Sequence, residues 1–315
     1  MSENILAARP AEPDWKTVTD EELAVYRDAE NAFRASTAAQ AFLGEPDPDA
    51  TIAWQTVALA GRDLPVRVYR PAGDEQAPLP LVVHVHGGGF VGTAVQCDWV
   101  VSHLAAQLPA VVVSVEHRLL APDSSLADAA DDGWDVLQHV VRDAGEWGVD
   151  PARIAVFGES CGGLISALTA IRARDSQFPL VAQVLVNPAV DVTDTMFDYA
   201  SMAEYGYSPT PADPMLRFFR QLAVPAGADA RAVSPLYADE LGGLAPALVV
   251  VPTRDAVADH GRSYAERLRA AGTSVRLTEY PDAPHAFLSL PGLVPQAETA
   301  RAEILKFLRA ALAAR

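Results

Sequence analysis

A serine that is to attack a carbonyl needs a base to take its proton, an acid to orient that base, and N–H donors for the oxyanion that forms. The segment Gly158-Glu159-Ser160-Cys161-Gly162-Gly163 presents a serine in the pattern G-x-S-x-G. An apolar run at 153–157 precedes it and a helical pattern follows, which is the strand–turn–helix setting of a nucleophile elbow. In so tight a turn, side chains beside the serine would clash, so glycine is required at Gly158 and Gly162. The alternative is a serine in a glycine-rich helix start that binds an anion.

The chain offers His84, His86, His103, His117, His139, His260 and His285 as bases. His84 falls in the middle of a strand pattern, and His103 and His139 fall on helical patterns ahead of the serine. An elbow serine is followed along the chain by its acid and then its base, which leaves His260 and His285. His285, in the loop segment PDAPHAF after the last strand pattern, is the preferred base. Asp255 follows the apolar run ALVVVPTR and is the preferred acid. Asp259 and Asp282 are its rivals. Asp259 is explained without catalysis by a helix N-terminus, and Asp282 by a loop cap. The run His86-Gly87-Gly88-Gly89-Phe90 directly follows another apolar strand. Its glycines let backbone N–H groups turn toward an oxyanion. Gly88 and Gly89, with the N–H of Cys161, would form the hole, and His86 and Gly87 would support it.

The elements that must hold these residues are legible as runs. Short apolar, β-branched segments at 81–85, 110–115, 153–157, 182–186 and 247–251, with 274–280, alternate with helical patterns at 97–108, 127–145, 161–173, 260–271 and 295–313. This is the signature of βαβ units and a mostly parallel sheet. Two more strands fit 51–59 and 64–70, with a turn at Gly61-Arg62-Asp63. Residues 14–43 read as helical, with Thr19 capping Asp20, Glu21 and Glu22. The interval 192–232 is too long for a simple connection. It holds Met196, Phe197, Tyr205, Met215, Phe218 and Phe219, which suits a lid whose side chains Phe197, Tyr205 and Phe218 line a finite pocket; the alternative is an extra helical pair that patches the core.

The 315 residues carry a formal net charge of −17, which repels nucleic acid and anionic membrane. Cys97 and Cys161 form neither a disulfide framework nor a zinc motif. The opening residues, with Glu3 and Arg9, lack an apolar stretch of signal-peptide length, and no run of about 18 apolar residues could cross a bilayer. The expectation is a cytoplasmic, soluble protein that takes a small molecule, with no nucleic-acid or membrane partner and no metal or cofactor. Self-association is left open.

These residues resemble the hormone-sensitive-lipase-like α/β-hydrolases, the microbial esterases marked by HGGG. The resemblance runs from about residue 50 to the C-terminus through HGGGF at 86–90, VEHRLLAP at 115–122, DDGW at 131–134, DPARIAVFGESCGG at 150–163, RDAVADHG at 254–261 and PHAF at 284–287. It implies an α/β-hydrolase fold with about eight strands and ester hydrolysis through an acyl-enzyme, without metal or cofactor. It also implies a cap made from the N-terminal helices (1–50) and the 192–232 insertion, set on a core of 51–191 and 233–315. The chain departs from the family's GDSAGG, YRLAPE, DPL and HGF at Glu159, Cys161, His117, Ala256, Val257 and Ala286, which reshapes the walls around the nucleophile. The same triad would serve an amidase, lactonase or carbamate hydrolase. A non-catalytic small-molecule receptor of the same fold would lack the base.

Overall fold

A computed structural model describes residues 9–73, 78–207 and 212–313, so Glu3 and part of the 192–232 insertion lie outside it. Eight strands are present: β1 (Ala50–Leu59), β2 (Arg62–Pro71), β3 (Leu79–Val85), β4 (Val111–Val115), β5 (Val149–Glu159), β6 (Leu180–Val186), β7 (Ala247–Arg254) and β8 (Val275–Pro284). They form one sheet in the order β1-β2-β4-β3-β5-β6-β7-β8. β1 and β2 pair antiparallel, as do β2 and β4, and every pairing from β4 through β3 to β8 is parallel. The apolar runs form strands because a parallel sheet buries both of its faces.

Alternation along the strands divides the core in two. Leu81, Val83 and Val85 face helices α4 (Leu126–Arg142) and α6 (Cys161–Asp175), meeting Val136, Leu137, Val140, Leu164 and Ile165. Val82, Leu248 and Val250 face the other way, onto Leu104 of α3 (Asp98–Gln107) and Ile304 and Leu308 of α10 (Gln296–Leu312). Val249 and Val251 pack on Tyr264 and Leu268 of α9 (Ala258–Ala270). A short helix α5 (Ala144–Trp147) leads into β5. The chain steps from β3 to β4 in one direction and then crosses back to place β5 on the other side of β3. This is the switch point at which open α/β sheets bind ligands, beyond the carboxyl ends of the strands.

Several boundaries differ from the sequence reading. The stretch 14–43 is two helices, α1 (Asp20–Arg34) and α2 (Thr37–Leu43). The break falls at Ser36, whose Oγ accepts the Ala39 N–H at 3.3 Å and so caps the second helix. The β1–β2 turn is tighter than expected, because Leu59 already pairs with Arg62 and only Ala60 and Gly61 remain to make it. β5 begins at Val149 because that residue pairs with Leu79 ahead of the main register. The insertion contains α7 (Ala200–Tyr205) and α8 (Ala212–Ala223). Trp15 of the N-terminal segment packs at a tilt against Phe218 and Phe219 of α8, with ring centroids 5.8 and 5.5 Å away. Phe218 therefore belongs to an aromatic cluster, and Phe197 lies under the Arg217 guanidinium, 3.9 Å from its carbon.

The segments VEHRLLAP and DDGW form one unit. Asp132 of α4 is fully buried and accepts from Arg62 Nε at 2.9 Å, from the Arg118 backbone N–H at 2.8 Å and from Arg118 Nε at 3.0 Å. The carboxylate ties β2 and the chain leaving β4 to the helix beneath the sheet. Asp132→Ala is expected to lower the unfolding free energy by about 2–4 kcal/mol, since two cations lose a buried partner while keeping some access to water. Urea denaturation measures it, and a change below about 0.5 kcal/mol would mean that this unit does not brace the fold.

Candidate active site

β5 ends at Glu159 and α6 begins at Cys161, leaving Ser160 alone in the turn between them. Ser160 has φ 57° and ψ −119°, a conformation that costs an L-residue energy and persists only where the surroundings impose it. The surroundings here are backbone. A Cβ on Gly158 would stand 2.1 Å from the Gly162 oxygen, and one on Gly162 would stand 2.1 Å from the Val85 oxygen. The Ser160 N–H donates to the Val186 oxygen at 2.9 Å, and the Leu164 N–H returns to the Ser160 oxygen at 3.1 Å. The helix start is thereby fixed against β3 and β6.

The structure brings together the preferred serine, base and acid. Ser160 Oγ lies 2.9 Å from His285 Nε2, and His285 Nδ1 lies 2.8 Å from Asp255 Oδ2. The other Asp255 oxygen accepts the Val257 N–H at 2.9 Å, so the buried carboxylate is held on both sides. Since a carboxylate only accepts, Nδ1 carries the proton and Nε2 presents its lone pair to the serine hydroxyl. The side chain is 40% exposed, and its partial desolvation disfavours the charged imidazole, but attraction and hydrogen bonding to Asp255 outweigh it. The His285 pKa is raised above the ordinary 6.5.

The rivals lie in other bonds. Asp259 accepts the Ser201 N–H at 2.9 Å and pairs with Arg262 at 2.8 Å. Asp282 has φ 60°, and its N–H donates to Thr253 Oγ1 at 2.9 Å. His260 is buried on α9 against the Tyr199 ring, 4.9 Å between centroids.

The glycine loop lies beside the elbow because β3 is the neighbour of β5. Gly88 and Gly89 take φ of 102° and 61°, backbone that favours glycine. Each N–H is aimed by the carbonyl of its own peptide unit. His86 Nδ1 donates to the Gly87 oxygen at 2.8 Å, which sets the Gly88 N–H. The Gly88 oxygen accepts from Val91 at 3.0 Å and Gly92 at 3.2 Å, which sets the Gly89 N–H. Burial, above all, lowers the His86 pKa to about 4, so the ring stays neutral with one donor and one acceptor. It stacks on His117, 4.4 Å away, and burial likewise lowers that pKa to about 4. The N–H of Cys161 opens α6 on the elbow side, completing the expected donor set. Burial raises the Cys161 thiol pKa, so the sulfur stays protonated.

Sequence reasoning missed the outer support of this loop. Arg27 of α1 donates to the oxygens of Phe90 at 3.1 Å and Leu120 at 2.8 Å, and Asn31 donates to the Val91 oxygen at 2.8 Å. It also missed the residue that reaches over the loop. A side chain at Gly89 would meet Sδ and Cε of Met215, on α8, at 3.7 Å. The composition of the insertion signalled such a contact, but not which methionine makes it.

A family model of the α/β hydrolase fold matches residues 82–289. The chain is 38% identical over 277 residues to a carboxylesterase of Mycobacterium tuberculosis, NlhH, with 84% of each chain covered. It is 32% identical to an ethyl acetate hydrolase of Pseudomonas putida, covering 79% of each. Among solved structures, EstE1, a thermostable carboxylesterase cloned from a metagenomic library, superposes with a TM-score of 0.83 at 33% identity over 94% of this chain and 99% of that one. The chain belongs to the hormone-sensitive-lipase-like esterases of the α/β-hydrolase fold. Within this esterase, Ala286 stands where the family's HGF has glycine and takes φ 57° and ψ 23°, left-handed backbone that disfavours alanine. Glu159 replaces the aspartate of GDSAGG and is buried.

If Ser160, His285 and Asp255 act together, Ser160→Ala lowers kcat by about 10⁴ or more and Asp255→Asn by about 10⁴, with far-UV dichroism unchanged. Asp259→Asn and Asp282→Asn should cost far less, and a larger loss from either would reassign the acid. The base works only when neutral, so kcat/KM should rise with pH through an apparent pKa above 6.5. Asp255→Asn should move that limb toward acid, because the partner that favours the charged ring is gone. A rate profile flat from pH 5 to 8 would exclude His285 as the base.

Proposed function

We propose that this esterase is a serine carboxylic-ester hydrolase that works through an acyl-enzyme on Ser160. The observation that carries the proposal is the continuous bonding of Ser160 to His285 and of His285 to Asp255, 2.9 and 2.8 Å, beside the glycine loop. In the reading, His285 Nε2 takes the Ser160 proton as Oγ bonds to the ester carbonyl carbon. The carbonyl π electrons move to oxygen, where the N–H groups of Gly88, Gly89 and Cys161 receive the charge. His285, charged and held by Asp255, then gives its proton to the alkoxide as the C–O bond breaks and the alcohol leaves. Water repeats the sequence on the acyl-enzyme, His285 removing its proton and returning one to Ser160 as the acid departs. Every role is filled by the chain itself.

The proposal extends to substrate size. The N-terminal residues up to about 50 and the 192–232 insertion act as a cap, joined by Trp15, Phe218 and Phe219. Met215 closes on the glycine loop from above. A capped pocket of roughly 300–1,000 Å³ admits a short acyl chain and not a long one, and a relative named for ethyl acetate agrees with this.

With p-nitrophenyl esters kept below their solubility limits, kcat/KM should peak at or below about eight acyl carbons. Met215→Ala should move the optimum to longer chains. A kcat/KM that climbs through palmitate, or activation at an emulsion interface, would sink the closed-pocket reading. Covalent labelling by an organophosphate at Cys161 rather than Ser160 would sink the serine mechanism.

A further inference from the structure

We propose that Ser289 is a positioning residue: by donating its hydroxyl to the buried Glu159 carboxyl, it fixes the loop that carries His285 against the elbow that carries Ser160. This rests on the serine-hydrolase reading above. Glu159 immediately precedes the serine, and its side chain is turned inward and 1% exposed. Ser289 lies in the 3-10 turn Phe287–Ser289, four positions beyond His285, and is 7% exposed. Its Oγ lies 2.9 Å from Glu159 Oε2. Among the described residues the other oxygen, Oε1, has no hydrogen-bond partner, and it is shut off from solvent.

The position of the bond gives it its effect. It joins two loops 130 residues apart in sequence, and the distance between those loops sets the Ser160–His285 approach of 2.9 Å. The base loop is poorly made to hold itself. Ala286 sits in left-handed backbone directly after the base. Phe287 and Leu288 are buried and anchor the loop by packing, but apolar packing has no preferred direction. A hydrogen bond does, and a misplacement of about 1 Å at a reacting atom can cost about 100-fold in rate. An aspartate here would be one methylene shorter and would fall away from Ser289. Burial pushes the Glu159 carboxyl up, and the Ser289 hydroxyl and the charges of His285 and Arg34 oppose that rise. The Cys97 thiol, also raised by burial, shares the pocket.

The test measures kcat and KM for p-nitrophenyl acetate per active site, counted by stoichiometric organophosphate labelling so that only assembled sites enter. Ser289→Ala is expected to lower kcat about 10- to 100-fold with KM changed less than about threefold. Ser289→Thr, which keeps the hydroxyl, should recover most of the loss. Glu159→Asp should match Ser289→Ala, and the double variant should lose no more than either single one, as for two ends of one interaction. A Ser289→Ala kcat within about twofold of wild type, a loss confined to KM, or losses that multiply in the double variant would overturn the proposal. If Ser289→Ala does not fold, Glu159→Asp carries the test by the same criteria. A wild-type protein that neither hydrolyses the ester nor takes the label would instead overturn the hydrolase reading itself.

Discussion

The site depends on a bare backbone contact. At Gly162 the first turn of α6 passes so close to the Val85 carbonyl that no side chain fits between them. That contact sets the end of β5 against the end of β3, which are neighbours only because the chain reverses its direction across the sheet there. Ser160 and the glycine loop come from different strands and arrive side by side for this reason. The left-handed Ser160 is tolerated because its N–H and oxygen are both bonded and the backbones around it leave no other arrangement.

Around this contact, polar groups are held by direction. His86 stays neutral because burial disfavours the charge, and its Nδ1 donates to the Gly87 oxygen. His285 shows the opposite balance. Its side chain is 40% exposed, and Asp255 at 2.8 Å more than offsets the partial desolvation of the ring, so it can take a proton in the course of a reaction. The two rings are thus shifted in opposite directions, the one beside Asp255 raised and the one donating to the Gly87 carbonyl lowered.

Much of this was legible in the sequence. The parallel strands are β-branched runs that must be buried on both faces, and they formed where those runs lie. The serine, base and acid stand out because chain order and loop position leave few choices. What could not be read was contact across distance. Arg27 and Asn31 look like ordinary polar residues of an amphipathic helix, and only the fold places them on the oxygens of Phe90 and Val91, 63 and 60 positions away. Ser289 carries no local signal of its bond to Glu159. The break between α1 and α2 was hidden because Ser36 is unremarkable until its hydroxyl is seen to cap the next helix. The contact of Phe218 with Trp15, 203 positions apart, carries no local signal either.

The distribution of these residues along the chain bears on how the protein is made. The glycine loop is complete by residue 90 and the serine by 160, but the base arrives only at 285, on the far side of β8, which is an edge strand of the sheet. A chain emerging from the ribosome can therefore build most of its sheet with an inert serine. On the proposed mechanism, the hydroxyl gains its base only after β8 has docked on β7 and drawn the last loop over the sheet. Hydrolytic competence becomes a late event in folding, and its appearance reports that the final strand is home.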